Sequence, residues 1–187
     1  MTQDVFMAVV HRATLTPHKF DLVLAWAPRQ EWFTGDGAAE IVSSFRLDDP
    51  AGEVGIETFI LRSGSGLFHV PVTYRSAPLD GGMLVGELEH SALGHRWIYD
   101  GAGDPVYVAT TAGAIAAAGH EVEMFLPDGT AVPRAENAAR VVGSGAVDAN
   151  GALTVARALP ADSPTGTPDL RATWAGQDTP LVLAWLR

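Results

Sequence analysis

The sequence predicts an α+β fold: an antiparallel sheet covered by a short helix and continued by a β-rich C-terminal extension. Three observations predict it. Between residues 40 and 90, runs rich in Val, Ile, Leu and aromatic residues are separated by Ser63-Gly64-Ser65-Gly66 and Asp80-Gly81-Gly82, which are hairpin-type connections. Phe20, Val23, Leu24 and Ala27 recur at helical spacing and make one apolar stripe. Beyond residue 120, turn signals at Pro127-Asp128-Gly129 and Asn150-Gly151 divide the chain into short strand-like runs.

Taken in order, Val9 and Val10 begin a short strand reaching about Leu15. Thr16-Pro17 then reads as a helix entry, with a hydroxyl at the N-cap and Pro at the first helical position. The helix runs about three turns and ends at Pro28. Being that short, it must dock on something. Residues 40–47, 53–62, 67–75 and 83–90 read as strands of a four-stranded meander. In Glu53-Val54-Gly55-Ile56-Glu57 the charges share one pleat face and Val54 and Ile56 the other, as in a half-buried strand. Asp104-Pro105 starts a second helix that runs through Ala118 and ends at Gly119, a left-handed cap. Residues 121–126, 139–147, 152–159, 169–174 and 181–186 read as further strands, with a Pro/Ser/Thr/Gly loop over 160–168. The domain reading is residues 1–119 as one α+β region, with 120–187 packed on it in one compact unit. The pentapeptide Leu22-Val23-Leu24-Ala25-Trp26 recurs as Leu181-Val182-Leu183-Ala184-Trp185 with no repeat unit around it, and is read as coincidence.

Composition excludes several classes of function. The chain has 187 residues, 47% apolar and 18% charged, enough for a substantial core without disulfides. A net charge of -10 is the wrong sign for nucleic acid or anionic lipid, so neither is expected as a partner. The absence of Cys excludes thiol catalysis, thiolate zinc sites and iron–sulfur clusters. No apolar run is long enough for a membrane helix and no signal peptide is evident, so a cytoplasmic location is expected. Eleven of the twelve basic residues are Arg, and the one Lys, Lys19, sits at a helix start, which is unpromising for Schiff-base chemistry.

Ordered blocks then carry a family resemblance. They are Leu15-Thr16-Pro17-His18-Lys19; Trp32-Phe33; 45–57, with Asp48-Asp49-Pro50-Ala51-Gly52 at its centre; 70–79, with Tyr74-Arg75; and 84–90 continued by 93–101. Over residues 8–112 the chain resembles the maltokinase N-terminal cap-like proteins of actinobacteria, short relatives of the cap preceding the lobes of maltokinase and aminosugar kinases. The resemblance implies a curved, cystatin-like antiparallel sheet sheltering a helix, and a setting in trehalose, maltose and glycogen-type α-glucan metabolism. It implies no catalytic residue, because the family's catalytic base, metal ligands and nucleotide-binding elements belong to the later lobes. No catalytic-loop Asp motif or Gly-Lys-Ser/Thr loop occurs here, so no cofactor is expected.

The densest functional-looking segment is His95-Arg96-Trp97-Ile98-Tyr99-Asp100. Trp97 and Tyr99 alternate on a strand, so both rings face one side and could stack on a sugar. Arg96 and Asp100 (or Asp104) could bond its hydroxyls, and Tyr74 could line the same surface. The alternative is that Trp97 and Tyr99 pack and Asp100-Gly101 turns the chain into the helix. Glu87, Glu89, His90 and His95 form the one acid–base cluster. On a strand Glu87 and Glu89 share a face while His90 points away, which counts against a metal site. Asp48-Asp49 reads as a turn bonding local N–H groups, and Trp32-Phe33 as a packing lid. The expectation is a non-catalytic cap-like module that binds a protein partner or itself. A sugar or sugar-phosphate binder is the alternative, and an enzyme using Glu87, Glu89 and His90 comes third.

Overall fold

The computed structural model describes residues 13–145 and 151–187, with the backbone of Ala8–Val9. The strands β1 (Ala8–Val9), β2 (Leu15–Thr16), β3 (Glu40–Asp48), β4 (Gly55–Ser63), β5 (Gly66–Arg75), β6 (Leu84–His90) and β7 (Gly94–Asp100) come first. Helix α1 (Lys19–Trp26) lies between β2 and β3, and α2 (Pro105–Ala116) follows β7. The last third holds β8 (Met124–Phe125), β9 (Arg140–Gly143), β10 (Leu153–Val155), β11 (Ala158–Leu159), β12 (Asp169–Trp174) and β13 (Gln177–Leu186). The class is α+β and rich in sheet.

The first sheet has the order β2-β6-β7-β5-β4-β3, with β11 joined to β5. It departs from a simple meander after β5. The chain crosses to β6 and returns as β7, so β5 pairs with β7 (Val72 opposite Asp100, Arg75 opposite Trp97) and β6 pairs outside it. The other half of the same β5 edge pairs with β11, Phe68 opposite Ala158. The second sheet, β10-β13-β12-β9, is built entirely from residues beyond 139. β1 and β8 form a small parallel pair.

The first sheet is buried on both faces. On one, Phe59, Leu61, Val70, Val72, Leu88 and Ile98 pack against Val23, Trp26 and Ala27 of the α1 region. Gly86 lets that helix approach, since a Cβ there would meet the Leu22 side chain at 2.8 Å. On the other face, Phe45, Leu47, Ile56 and Ile60 join Tyr107 and Ile115 of α2 and Leu170, Leu183 and Trp185 of the second sheet. Residues 56–61 of β4 are accordingly all buried, Glu57 included. The half-buried reading of this strand is thus corrected: a strand covered on both sides needs no polar alternation.

The helix ends also differ in detail. Thr16 belongs to β2, and the α1 N-cap is His18, whose Nδ1 accepts from the Phe20 N–H. A 3-10 turn at Ala27–Arg29 follows, so Pro28 lies within the helical stretch. Asp104 caps α2 by accepting from the Val106 N–H at 2.9 Å, with Pro105 at its start. At the other end the left-handed residue is Ala118 (φ 52), not Gly119. Gly119 N–H reaches back to the Ala114 carbonyl at 2.8 Å, the six-to-one bond of a Schellman ending. In the last third the 152–159 run splits between β10 and β11, which belong to different sheets. Asn150 lies outside the described residues, and β9 and β10 occupy opposite edges of their sheet rather than pairing as a hairpin.

Candidate functional site

The register divides the five sequence-predicted ligand residues between the two faces of the first sheet. Directly opposed residues share a face. Trp97 and Tyr99 oppose Arg75 and Thr73, whereas Arg96 opposes Leu88 and Tyr74 opposes Ile98, on the α1 side. Asp100 opposes Val72, also on that side. Tyr99 is buried beneath the β5–β6 connection and accepts from the Leu79 N–H at 2.9 Å. Trp97 is half-buried, its ring edge-on to His95 at 4.4 Å between centroids. Tyr74 donates to Glu57 at 2.9 Å, and burial with the neighbouring Glu57 charge holds its hydroxyl well above the usual tyrosine range. Asp100 is ion-paired to Arg157 and caps the 3-10 turn at Gly101–Gly103. The Arg157 guanidinium also lies 4.9 Å from the Trp32 ring centre.

The β6–β7 face carrying Trp97 holds Glu87, Glu89 and His95 of the acid–base cluster, while His90 falls on the other face as alternation requires. His95 bridges two carboxylates, Nδ1 to Glu89 at 2.6 Å and Nε2 to Glu87 at 3.0 Å. The hydrogen bond to Glu89, with that of Glu87 behind it, raises the imidazole above its ordinary pKa. Among the described residues no group of three or more His, Asp or Glu is placed to hold a metal ion. Asp49 bonds the N–H groups of Ala51, Glu53 and Val54, the turn role its position suggested.

A groove of about 330 Å³ lies along the β3 edge, where residues 121–140 run beside the strand. Val122 N–H donates to the Arg46 carbonyl at 3.0 Å and Ala139 N–H to that of Ser44 at 2.9 Å, which pins the segment in place. Arg46 and Glu57, cross-strand partners by register, both line the groove. Glu57 nevertheless turns to Lys19, whose Nζ donates to both carboxylate oxygens at 2.7 Å. Sequence reasoning missed this groove. Arg46 and Glu57 are eleven positions apart in the sequence, and only the register puts them side by side.

The family model of the maltokinase N-terminal cap domain matches residues 26–104, from the end of α1 through β7 to the cap of α2. Over that stretch the chain is similar to the maltokinase N-terminal cap domain. No curated protein and no solved structure matches the chain. The matched stretch contains the β3–β4–β5 strands and the β6–β7 pair of the first sheet. Among the described residues no helix is long and apolar enough to cross a membrane.

Proposed function

We propose that this chain acts as a non-catalytic cap module that docks on a protein of trehalose, maltose or α-glucan metabolism, with residues 1–119 forming a cystatin-like cap and 120–187 its extension. The observation that carries the reading is the cap-domain match over residues 26–104. Support also comes from how the buried carboxylates of that stretch are used. Glu57, Asp100 and Asp104 each hold a Lys or Arg, so their charges serve the fold. The docking surface in this proposal is the β6–β7 face, where Glu87, Glu89, His95 and Trp97 stand near exposed Met83, Leu84 and Leu93. The test is to titrate the full chain, by interferometry, against purified enzymes acting on these glucans from the same organism. Saturable binding to one of them, weakened by Glu87→Arg, supports the proposal. Flat traces against all of them reject it.

A second reading is a sugar or sugar-phosphate binder. Its support is the half-buried ring of Trp97 beside Glu87, a stacking surface next to a hydroxyl acceptor. A rise in melting temperature with maltose or trehalose that Trp97→Ala removes would favour it, and a rise unaffected by that substitution would place the sugar elsewhere.

A further inference from the structure

We infer that the β3-edge groove binds a small organic anion, whose carboxylate or phosphate is held by the guanidinium of Arg46. This inference stands apart from the docking proposal and uses a different surface.

Among the described residues, Arg46 is the cation of the groove that has neither an ion pair nor a side-chain hydrogen bond. Its cross-strand neighbour is Glu57, but both oxygens of that carboxylate are taken by Lys19, and Tyr74 donates to one of them as well. Arg134 and Arg140, also in the lining, both reach Glu121, at 2.6 and 3.6 Å. Asp48 feels the charge of Arg46 without forming an ion pair with it. Among the described residues nothing accepts from the Arg46 guanidinium, and its Nε is a fully buried donor with no acceptor. A buried N–H left unmet costs free energy, so the side chain is held at this position at some expense to stability. The two terminal nitrogens, which are not closed off as Nε is, present a pair of N–H groups that fits the paired oxygens of a carboxylate or phosphate. The groove is of the volume that small-molecule sites have, and Val122, Met124 and Val132 supply an apolar wall for the body of the ligand.

The test is thermal unfolding of the full chain at constant ionic strength with pyruvate, glucose 1-phosphate, inorganic phosphate and, as a neutral probe, glucose. The expected result is a saturable rise with pyruvate or glucose 1-phosphate, roughly 5–11 °C at a hundredfold excess over Kd, and none with glucose. Whichever probe acts tells a carboxylate site from a phosphate-ester site. Arg46→Gln should abolish the rise while unfolding no lower than the parent, because it removes an unmet donor. Arg46→Lys, which keeps the charge but not the fork, should bind at least about tenfold more weakly. Arg62→Gln, at an exposed position on β4, should leave the rise intact. Three results overturn the inference: no saturable rise with either organic probe, a rise with inorganic phosphate alone (an adventitious ion only), or a rise that survives Arg46→Gln.

Discussion

Arg75 and Asp104 meet side by side, Nε to Oδ2 at 2.7 Å and Nη2 to Oδ1 at 2.6 Å, with the carboxylate wholly inaccessible to solvent. The same carboxylate accepts from the Thr73 hydroxyl at 2.6 Å and from the first turn of α2. One side chain thus ties the end of β5 to the start of α2. Removing it would strand the Arg75 charge and uncap the helix together. Asp104→Ala should cost about 3 kcal/mol, a fall in melting temperature of roughly 6–12 °C. A calorimetric loss below about 1 kcal/mol would show the pair to be dispensable.

Acid should weaken the fold through two groups. Burial pushes the Asp104 carboxyl up, but hydrogen bonds from Arg75, Thr73 and the Val106 N–H outweigh it and hold the pKa below the ordinary value of 3.8. Its contribution is therefore complete above that value and is lost as pH falls through the lowered native one. His69 acts higher on the scale. Burial pushes its pKa down from 6.5 to about 3, so it stays neutral with Nδ1 at 2.9 Å from the Ala156 carbonyl. Below pH 6.5 the unfolded chain takes up a proton that the native one refuses, and stability should fall by about 1.4 kcal/mol per pH unit towards pH 3. Urea denaturation between pH 7 and pH 4 should show that slope, and His69→Gln should flatten it.

Gly143 of β9 lies against the last turn of α2, where a Cβ would overlap the Ala114 carbonyl oxygen. The N–H groups of Gly143 and Gly145 donate to the Gly119 and Ile115 carbonyls, both at 2.9 Å, so neither chain segment can retreat without breaking them. Gly143→Val should therefore cost about 3 kcal/mol. Gly129→Ala offers the comparison: φ there is +83°, but a Cβ would meet nothing within 4 Å, so only backbone strain of about 1 kcal/mol is expected.

Lys19 matters to the core more than its exposure suggests. It neutralises Glu57, a carboxylate whose side chain is 8% exposed. Lys19→Met should destabilise by about 2–3 kcal/mol, and adding Glu57→Gln should recover part of that by removing the stranded charge. If the double variant is as unstable as the sum of the singles, the two side chains do not act as a pair.

His95 gives a readout at neutral pH. With Glu89 as its stronger partner and Glu87 as the other, the imidazole should titrate above 6.5 in an NMR experiment. Glu89→Gln should lower that midpoint more than Glu87→Gln. Equal effects would mean that the two carboxylates contribute alike.

How much of this was legible in the sequence depended on whether a feature is local. The Ser63–Gly66 connection and the Asp104 cap are written in consecutive residues, and both appear where expected. Glu57 shows the limit. It sits in an alternating pattern that reads as half-exposed, yet it lies under α1 because Lys19, 38 residues away, supplies its counter-charge. Trp97 and Tyr99 share a face as alternation requires, but Tyr74 joins the other side through a register that no spacing encodes. The sharpest case is the repeated pentapeptide. Its first copy, Leu22 to Trp26, is helical, while its second, Leu181 to Trp185, is strand. Identical residues take either form because neighbouring layers, not intrinsic preference, decide what is buried.

The division of one β5 edge between β7 and β11 has a consequence for how the protein is made. The half beside Phe68 is filled only when Ala158 arrives, about 80 residues later than the end of β5. At ~5–20 residues per second, a growing chain on the ribosome carries that bare strand for roughly 4–16 s. Through that interval a central strand of the first sheet offers unpaired N–H and C=O groups to any passing chain. The last third of the polypeptide thus acts as the closing piece of a sheet begun near its start, and nascent chains are at their most adhesive just before synthesis reaches it.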